Sequence, residues 1–463
     1  MKRIAAITLP AVLLLSACGG GGGSGPAPVN PQPSSAVVQV NLGDDPADRL
    51  LAASMTVNSL TFTNASGASV SVLSAPRSME MLQSMGTVTP LAVANVPQGT
   101  YTSATMTFGE ATVTYVDPAT GQVLQKIVNG PMTASFPLNP ALAVGSAPMV
   151  VNLDMNMGAS VVIDANGNVT LSPSMTAATN PLGNGSSHPE DGGIHGMVGM
   201  VSGTSGGQFT LAMMQGMSGL SLMTNANTQF HGMSGMGMMT GNMLVSFDAS
   251  LQPDGTWMAT RVQSRMGAGG AMSAGMVTEV SGNPPTQLVI AMQNGIGNGM
   301  AATSLAGTTT VNIDESTQFS IDGGSVDLTD LPFTPYFDRA SLSKGQRIEA
   351  FSTGQMMQGG GMNGMRGGTT LAAVAIQLGE QGLRGTVANY SRSGQRASFT
   401  LTLPADSAFA KLTGAAAVTV YQQPSTQLRA LSTVANGNSV VVRGLLFLDN
   451  GIFRLVADRV VGS

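Results

Sequence analysis

From residue 37 onward the chain is written in short runs that alternate apolar and polar residues. Ser54-Met55-Thr56-Val57-Asn58-Ser59-Leu60-Thr61-Phe62 reads as one such run. So does Thr100-Tyr101-Thr102-Ser103-Ala104-Thr105-Met106-Thr107-Phe108. Val37-Val38-Gln39-Val40-Asn41-Leu42 and Met149-Val150-Val151-Asn152-Leu153 are shorter and more apolar. A period of two is that of a strand, with one row of side chains in a core and the other in water. Helical spacing is almost absent, and Gly, Asn, Asp and Ser clusters divide the runs. The pattern predicts an all-β protein, with residues 37–175 forming an antiparallel β-sandwich.

Residues 176–193 are rich in Gly, Asn, Ser and Pro and read as a linker. After it, one unit recurs three times, over 194–266, 276–377 and 383–461. Each copy opens with a strand at Gly196-Met197-Val198, Met276-Val277-Thr278 or Gly385-Thr386-Val387. Each later carries Thr-Gln and an apolar residue: Thr228-Gln229-Phe230, Thr317-Gln318-Phe319 and Thr426-Gln427-Leu428. The last strands end in Thr260-Arg261-Val262, Val374-Ala375-Ile376 and Asp458-Arg459-Val460. Anchors recurring in one order mark a repeat. Asp254-Gly255 and Asn450-Gly451 precede the last strands of copies one and three and suit tight hairpins. The second copy has a Met/Gly-rich loop there instead, Met356 to Met365, and an insertion near 322–341.

The opening strand, Gly43-Asp44-Asp45-Pro46, and Val96-Pro97-Gln98-Gly99-Thr100-Tyr101 leading into a strand resemble an uncharacterised domain at the start of many bacterial lipoproteins. The resemblance covers about 37–130 and implies a prealbumin-like or carboxypeptidase-regulatory-like sandwich. The three units resemble small repeated β-barrel domains of unknown function, OB-like in layout, found in secreted and lipid-anchored bacterial proteins. That implies three small β-barrels. OB-type layouts often bind sugars or nucleic acids, but a fold alone assigns no ligand.

The first residues change the picture from fold to location. Lys2 and Arg3 precede an apolar stretch, Ile4 to Leu15, too short to span a bilayer. Residues 1–17 therefore read as a signal peptide. Leu15-Ser16-Ala17-Cys18 resembles the bacterial lipobox, which implies cleavage after Ala17 and lipid on Cys18. Residues 18–36, Gly- and Pro-rich, read as a tether. Gly19 after the cysteine implies an outer-membrane lipoprotein, periplasm-facing or at the cell surface.

Composition narrows the chemistry. Cys18 is the only cysteine among 463 residues, so no intramolecular disulfide can form. Charged residues are 9% of the chain and the net charge is -5, which offers nucleic acid no basic patch. Methionines number 32 and crowd into copies one and two. Thioethers are soft ligands that suit Cu(I). Met233, Met236, Met238 and Met239, with His231 and His195 nearby in sequence, are candidate ligands, as are Met356, Met357, Met362 and Met365. The plainer reading makes them flexible apolar filler.

Gly203-Thr204-Ser205-Gly206-Gly207 fits G-x-S-x-G, yet it runs into a strand where a nucleophile elbow needs a helix. Asp164 to Asn168 starts like a calcium loop but has Val169 and Met175 where Gly and Glu belong, so it reads as a hairpin turn. The expectation is a non-enzymatic envelope protein without a cofactor, with a structural, adhesive or ligand-binding role toward an envelope protein or carbohydrate. The alternative is Cu(I) binding by the Met/His loops. Replacing the lipidated residue, Cys18→Ser, is expected to abolish incorporation of labelled palmitate and to move the protein out of the membrane fraction. A variant that stays membrane-bound would rule out lipid on this residue as the anchor.

Overall fold

Strands form almost everywhere because the sequence alternates almost everywhere. The computed structural model describes residues 34–462 apart from 46–47, 83–87, 118, 165, 183–188, 214–217, 268, 297–306, 322–325, 355–356 and 359–368. Cys18 and the signal segment lie outside the described residues.

The first stretch folds as two sheets. Strands β1 (Ser35–Asp45), β2 (Leu50–Asn64), β3 (Ser69–Ser71), β4 (Arg77–Glu80), β5 (Val88–Pro97), β6 (Gly99–Val116), β7 (Val123–Val128), β8 (Met132–Val144) and β9 (Met149–Asn156) come in order. A short helix, α1 (Met157–Ser160), precedes the hairpin β10 (Val161–Ile163) and β11 (Val169–Leu171), and β12 (Met175–Pro181) follows. One sheet runs β12-β9-β1-β5 and the other β3-β2-β6-β7, with β4 on β2 and β8 on β6. The expected antiparallel sandwich is corrected at one place. Strands β1 and β9 pair in parallel, Val38 opposite Met149. A parallel neighbour needs a crossover, and β6 to β8, in the other sheet, supply it. The linker reading of 176–193 is also corrected, since Met175 to Pro181 alternates in burial and pairs with β9.

Alternation in β2 slips by one residue, with register shifts on both sides of Val57. The slip keeps Met55, Val57, Leu60 and Phe62 all in the core. The polar row of β1 does not face water. Gln39 and Asn41 are fully buried, with Gln39 Nε2 donating to Asn41 Oδ1 at 2.7 Å and Asn41 Nδ2 to Asn152 Oδ1 at 2.8 Å. Val37 and Val93 on the same sheet pack against the core of the first repeat.

The first repeat contains β13 (Gly193–Ser205), β14 (Gln208–Met213), β15 (Ser218–Met223), β16 (Gln229–His231), β17 (Leu244–Leu251) and β18 (Trp257–Met266). The second contains β19 (Ala271–Gly282), β20 (Pro285–Ile296), β21 (Thr308–Asn312), β22 (Gln318–Ile321), β23 (Arg347–Ser352), β24 (Met357–Gln358), β25 (Thr369–Ala372) and β26 (Ala375–Leu378). The third contains β27 (Glu380–Ser393), β28 (Arg396–Thr402), the helix α2 (Ala408–Thr413), β29 (Ala417–Arg429), β30 (Ser439–Asp449) and β31 (Ile452–Gly462). Among the described residues the third is a fully closed barrel, in the order β27-β28-β29-β31-β30, and the expectation of three barrels is corrected for the other two, whose closure is partial. In the first repeat two residue pairs, Leu222 with Trp257 and Met223 with Met258, join β15 to β18. In the second, the last strand is broken between β25 and β26, which pair with β21 and β22 separately.

The Thr-Gln anchors have one physical job in all three copies. Thr228 Oγ1 donates to Ala259 O at 2.8 Å, Thr317 Oγ1 to Ala373 O at 2.9 Å, and Thr426 Oγ1 to Ala457 O at 2.7 Å. Each hydroxyl also accepts a backbone N–H three residues upstream, from Asn225, Asp314 or Gln423. One hydroxyl thus turns the chain and pins it to the last strand. At the hairpins, Asn450 and Gly451 both take positive φ, 49° and 78°, as a two-residue turn requires. The Asp254-Gly255 turn is longer, because Gln252 N bonds Thr256 O across it and only Gly255 is left-handed there. Gly206 and Gly207 close the β13–β14 hairpin at φ 56° and 84°, so the G-x-S-x-G run is the end of a strand and its hairpin turn.

The stretches pack on one another rather than stringing out. Met272, Ala274 and Phe351 of the second repeat share a cluster with Val198 and Leu244 of the first. Leu445, Phe447 and Val456, on the outer face of the third barrel, complete the core of the second. Leu51 of the sandwich meets Met276 and Ala408 of the second and third repeats. Thr426→Val keeps volume but strands a carbonyl and an amide, and is expected to cost about 1–3 kcal/mol. Urea unfolding followed by circular dichroism measures it; an unchanged midpoint would reduce the anchor to a sequence coincidence.

Candidate functional site

The sequence-predicted ligands stand in several environments. Strand β16 pairs in parallel with β18 and carries His231, which is exposed. The loop after it turns at Gly232 and Gly235 and makes one 3-10 turn, Met236–Met238. Met233 and Met239 are buried in the core of the first repeat, where Trp257 is buried as well. Met236 packs at the margin of that core, and its sulfur accepts the Thr224 hydroxyl at 2.9 Å. Met238 is 54% exposed, and its sulfur accepts the Ser234 N–H at 3.3 Å and hydroxyl at 3.2 Å. Met356, Met362 and Met365 lie outside the described residues, and Met357 is described only as a backbone position of β24. Among the described residues no group of three or more His, Cys, Asp and Glu could hold a metal ion.

His195 has a carboxylate partner. Its Nδ1 lies 3.2 Å from Asp248 Oδ1, which also accepts Gly196 N–H at 2.7 Å, while Arg261 Nε reaches Asp248 Oδ2 at 3.0 Å. The hydrogen bond to Asp248 raises the imidazole above its ordinary range; burial opposes it, and Asp248, Glu380 and Asp458 add negative charge. Burial pushes the Asp248 carboxyl up, but His195, the Gly196 N–H and Arg261 together hold it below the usual range. Asp458 is pushed up by burial and by Glu380, against Arg459, Arg443 and His195. Three donors on one carboxylate make this a clamp between β13, β17 and β18.

The structure adds a site that motif reading did not single out. The insertion of the second repeat lays Asp330, Leu331 and Pro332 beside Ser391 and Ser393 of β27, Ser398 of β28 and Gln422 of β29, around a groove of about 170 Å³. Local turns shape the insertion. Asp327 Oδ1 caps Thr329 N at 2.9 Å, and Asp330 takes a left-handed φ of 50°. Arg396 fixes the near wall, with NH2 on Asp330 Oδ2 at 2.8 Å and Nε on Gln423 Oε1 at 2.9 Å. Gln423 Nε2 in turn donates to Thr329 O at 3.0 Å. Phe333 packs at a tilt against Tyr421 with centroids 5.4 Å apart, and the Arg454 guanidinium sits 5.1 Å from the Phe333 centroid. Arg454 also donates to the Tyr421 hydroxyl and pairs with Asp449 at 2.8 Å. The insertion was legible as extra chain; its docking on another repeat was not, because nothing local encodes a partner about 90 residues away.

Comparison with known proteins adds little chemistry. Residues 198–263 match a family described as a domain of unknown function, DUF5666. No curated protein matches the chain. The solved structures that are similar include two of the single-stranded DNA binding protein from Thermus aquaticus, one wild-type and one a deletion mutant. Each is 14% identical over 42% of this chain, covering 92% of the wild-type chain and 93% of the mutant, with a TM-score of 0.15. At that score the likeness supports no inference about this chain.

The clamp makes stability depend on pH in a defined direction. A histidine raised above its unfolded value of about 6.5 contributes stability that is complete below that value and lost as pH rises through the folded pKa. The stability gap between wild type and His195→Gln is therefore expected to be wider at about pH 5.5 than at about pH 9. Urea midpoints at the two pH values measure it, and a gap that widens toward alkaline pH would contradict the clamp.

Proposed function

We propose that this chain is a lipid-anchored cell-envelope protein that acts by binding, not by catalysis. Lipid on Cys18 would hold it at the outer membrane, on the periplasmic side or the cell surface, with the residues from 18 up to the start of β1 at Ser35 as the tether. The prealbumin-like or carboxypeptidase-regulatory-like reading of the sandwich rests on the residues between 37 and 130 that carry the resemblance. The binding role is carried by one observation. Two repeats build a groove between them, and hydrogen bonds through Arg396 and Gln423 hold its walls in place before any ligand arrives. Walls fixed in advance lower the ordering cost of binding. The partner would be an envelope protein or a carbohydrate.

The alternative is Cu(I) binding by the Met/His loops. It is supported by Met233, Met236 and Met239 gathering in one cluster. Against it, Met233 and Met239 serve as core side chains, and the Met238 sulfur is occupied by Ser234.

The two readings separate in one set of measurements on the full chain in detergent micelles. Saturable binding to an isolated envelope polysaccharide or envelope protein is expected, together with weak Cu(I) binding that is the same in wild type and in the variant carrying leucine at 233, 236, 238 and 239. Turnover of any substrate would sink the binding role. Tight Cu(I) binding lost in the leucine variant would put the metal reading in its place.

A further inference from the structure

We infer that the groove between the insertion of the second repeat and strands β27 to β29 of the third barrel receives a neutral saccharide end. This rests on the binding role proposed above and names its site and ligand class.

Charge is the first argument. Among the described residues lining the groove, Arg396 is the cation and Asp330 the anion, and they pair with each other at 2.8 Å. Its Nε donates to Gln423, so two of the three guanidinium nitrogens already have partners. An anionic ligand would have to compete with Asp330 for Arg396, and a cationic one with Arg396 for Asp330. A neutral ligand displaces neither.

Hydrogen-bonding chemistry is the second. Ser391 is paired opposite Ser398, and Ser398 opposite Tyr421, so three hydroxyl-bearing residues form one row across β27, β28 and β29. Directly opposite positions share a face of the sheet. Ser393 adds a fourth hydroxyl at the exposed rim. Sugar hydroxyls both donate and accept, so they match serine hydroxyls in either sense.

Shape is the third. Leu331 and Pro332 contribute apolar lining suited to the C–H face of a sugar ring. A volume of about 170 Å³ is smaller than pockets that enclose drug-sized ligands, roughly 300 Å³ and above. It suits one ring at a chain end, not a long stretch of polymer.

The test is an array of neutral and acidic oligosaccharides probed with the full chain in detergent micelles, as wild type, Ser393→Trp and Ser398→Trp. Ser393 is exposed at a turn, so a tryptophan there fills the rim without entering the core; thermal melting checks both variants. The expected result is binding to neutral saccharides that weakens about tenfold or more in either variant that melts like wild type. Saccharide binding unchanged in the Ser393 variant would overturn the site while leaving a binding role in place. Binding confined to acidic saccharides would overturn the ligand class. No saccharide bound at all would overturn the inference, and only if envelope proteins also failed to bind would the binding role itself fall.

Discussion

Arg347 carries a charge into a buried part of the molecule, and three stretches of chain meet around it. The residue is 7% exposed. Nε donates to Gln293 Oε1 at 3.1 Å, NH1 reaches Glu380 O at 3.4 Å, and Glu349 lies 3.7 Å away. The backbone N–H of the same residue donates to Gln381 Oε1 at 2.7 Å. The partners reach onward: Gln293 Nε2 donates to Leu51 O of the sandwich at 2.8 Å, and Gln381 Nε2 to Gly345 O at 3.0 Å. Burial lowers the guanidinium pKa, with Glu349 opposing. A buried charge tolerates few geometries, because losing a partner costs far more than forming the pair returns. Apolar clusters supply most of the driving force here but are non-directional. The directional groups around Arg347 select one way for the sandwich, the second repeat and the third barrel to meet.

That constraint reaches the groove. Its walls come from the second repeat's insertion and the third barrel, so its shape depends on those two bodies being fixed relative to each other. The outer face of the third barrel, through Leu445, Phe447 and Val456, is buried against the second repeat. Phe333 bridges from the insertion to Tyr421 and Phe447. A chain of freely swinging barrels would have opened and closed this space; a locked pair presents it ready-made.

The repeats also show how one side-chain device survives divergence. Thr228, Thr317 and Thr426 each bond the last strand's carbonyl and an upstream amide, although the strands around them close fully, by two residue pairs, or with a break. A hydroxyl that satisfies two buried backbone groups has few substitutes, since Ser loses the packing of the methyl and Val loses both hydrogen bonds. The surrounding apolar positions had more freedom, because volume and patterning can be conserved by many combinations.

The sequence by itself determined the all-β class, most of the strands, the recurring Thr-Gln anchors, and the hairpin turns at Asn166-Gly167 and Asn450-Gly451. All of these are local: period two, turn residues with positive φ, and hydroxyls at fixed offsets act within a few residues of chain. Only the tertiary structure decided what lies on the second face of each strand. Gln39 and Asn41 read as a solvated row and are buried, because Asn152, 111 residues beyond Asn41, comes to meet them. Met233 and Met239 read as candidate ligands and lie in a core, because the loop folds back over the first repeat. The parallel pairing of β1 with β9, the broken last strand of the second repeat and the groove on the third barrel have the same origin. Each depends on which distant surface arrives, and a local pattern carries no record of that until burial and hydrogen bonding have chosen the partner.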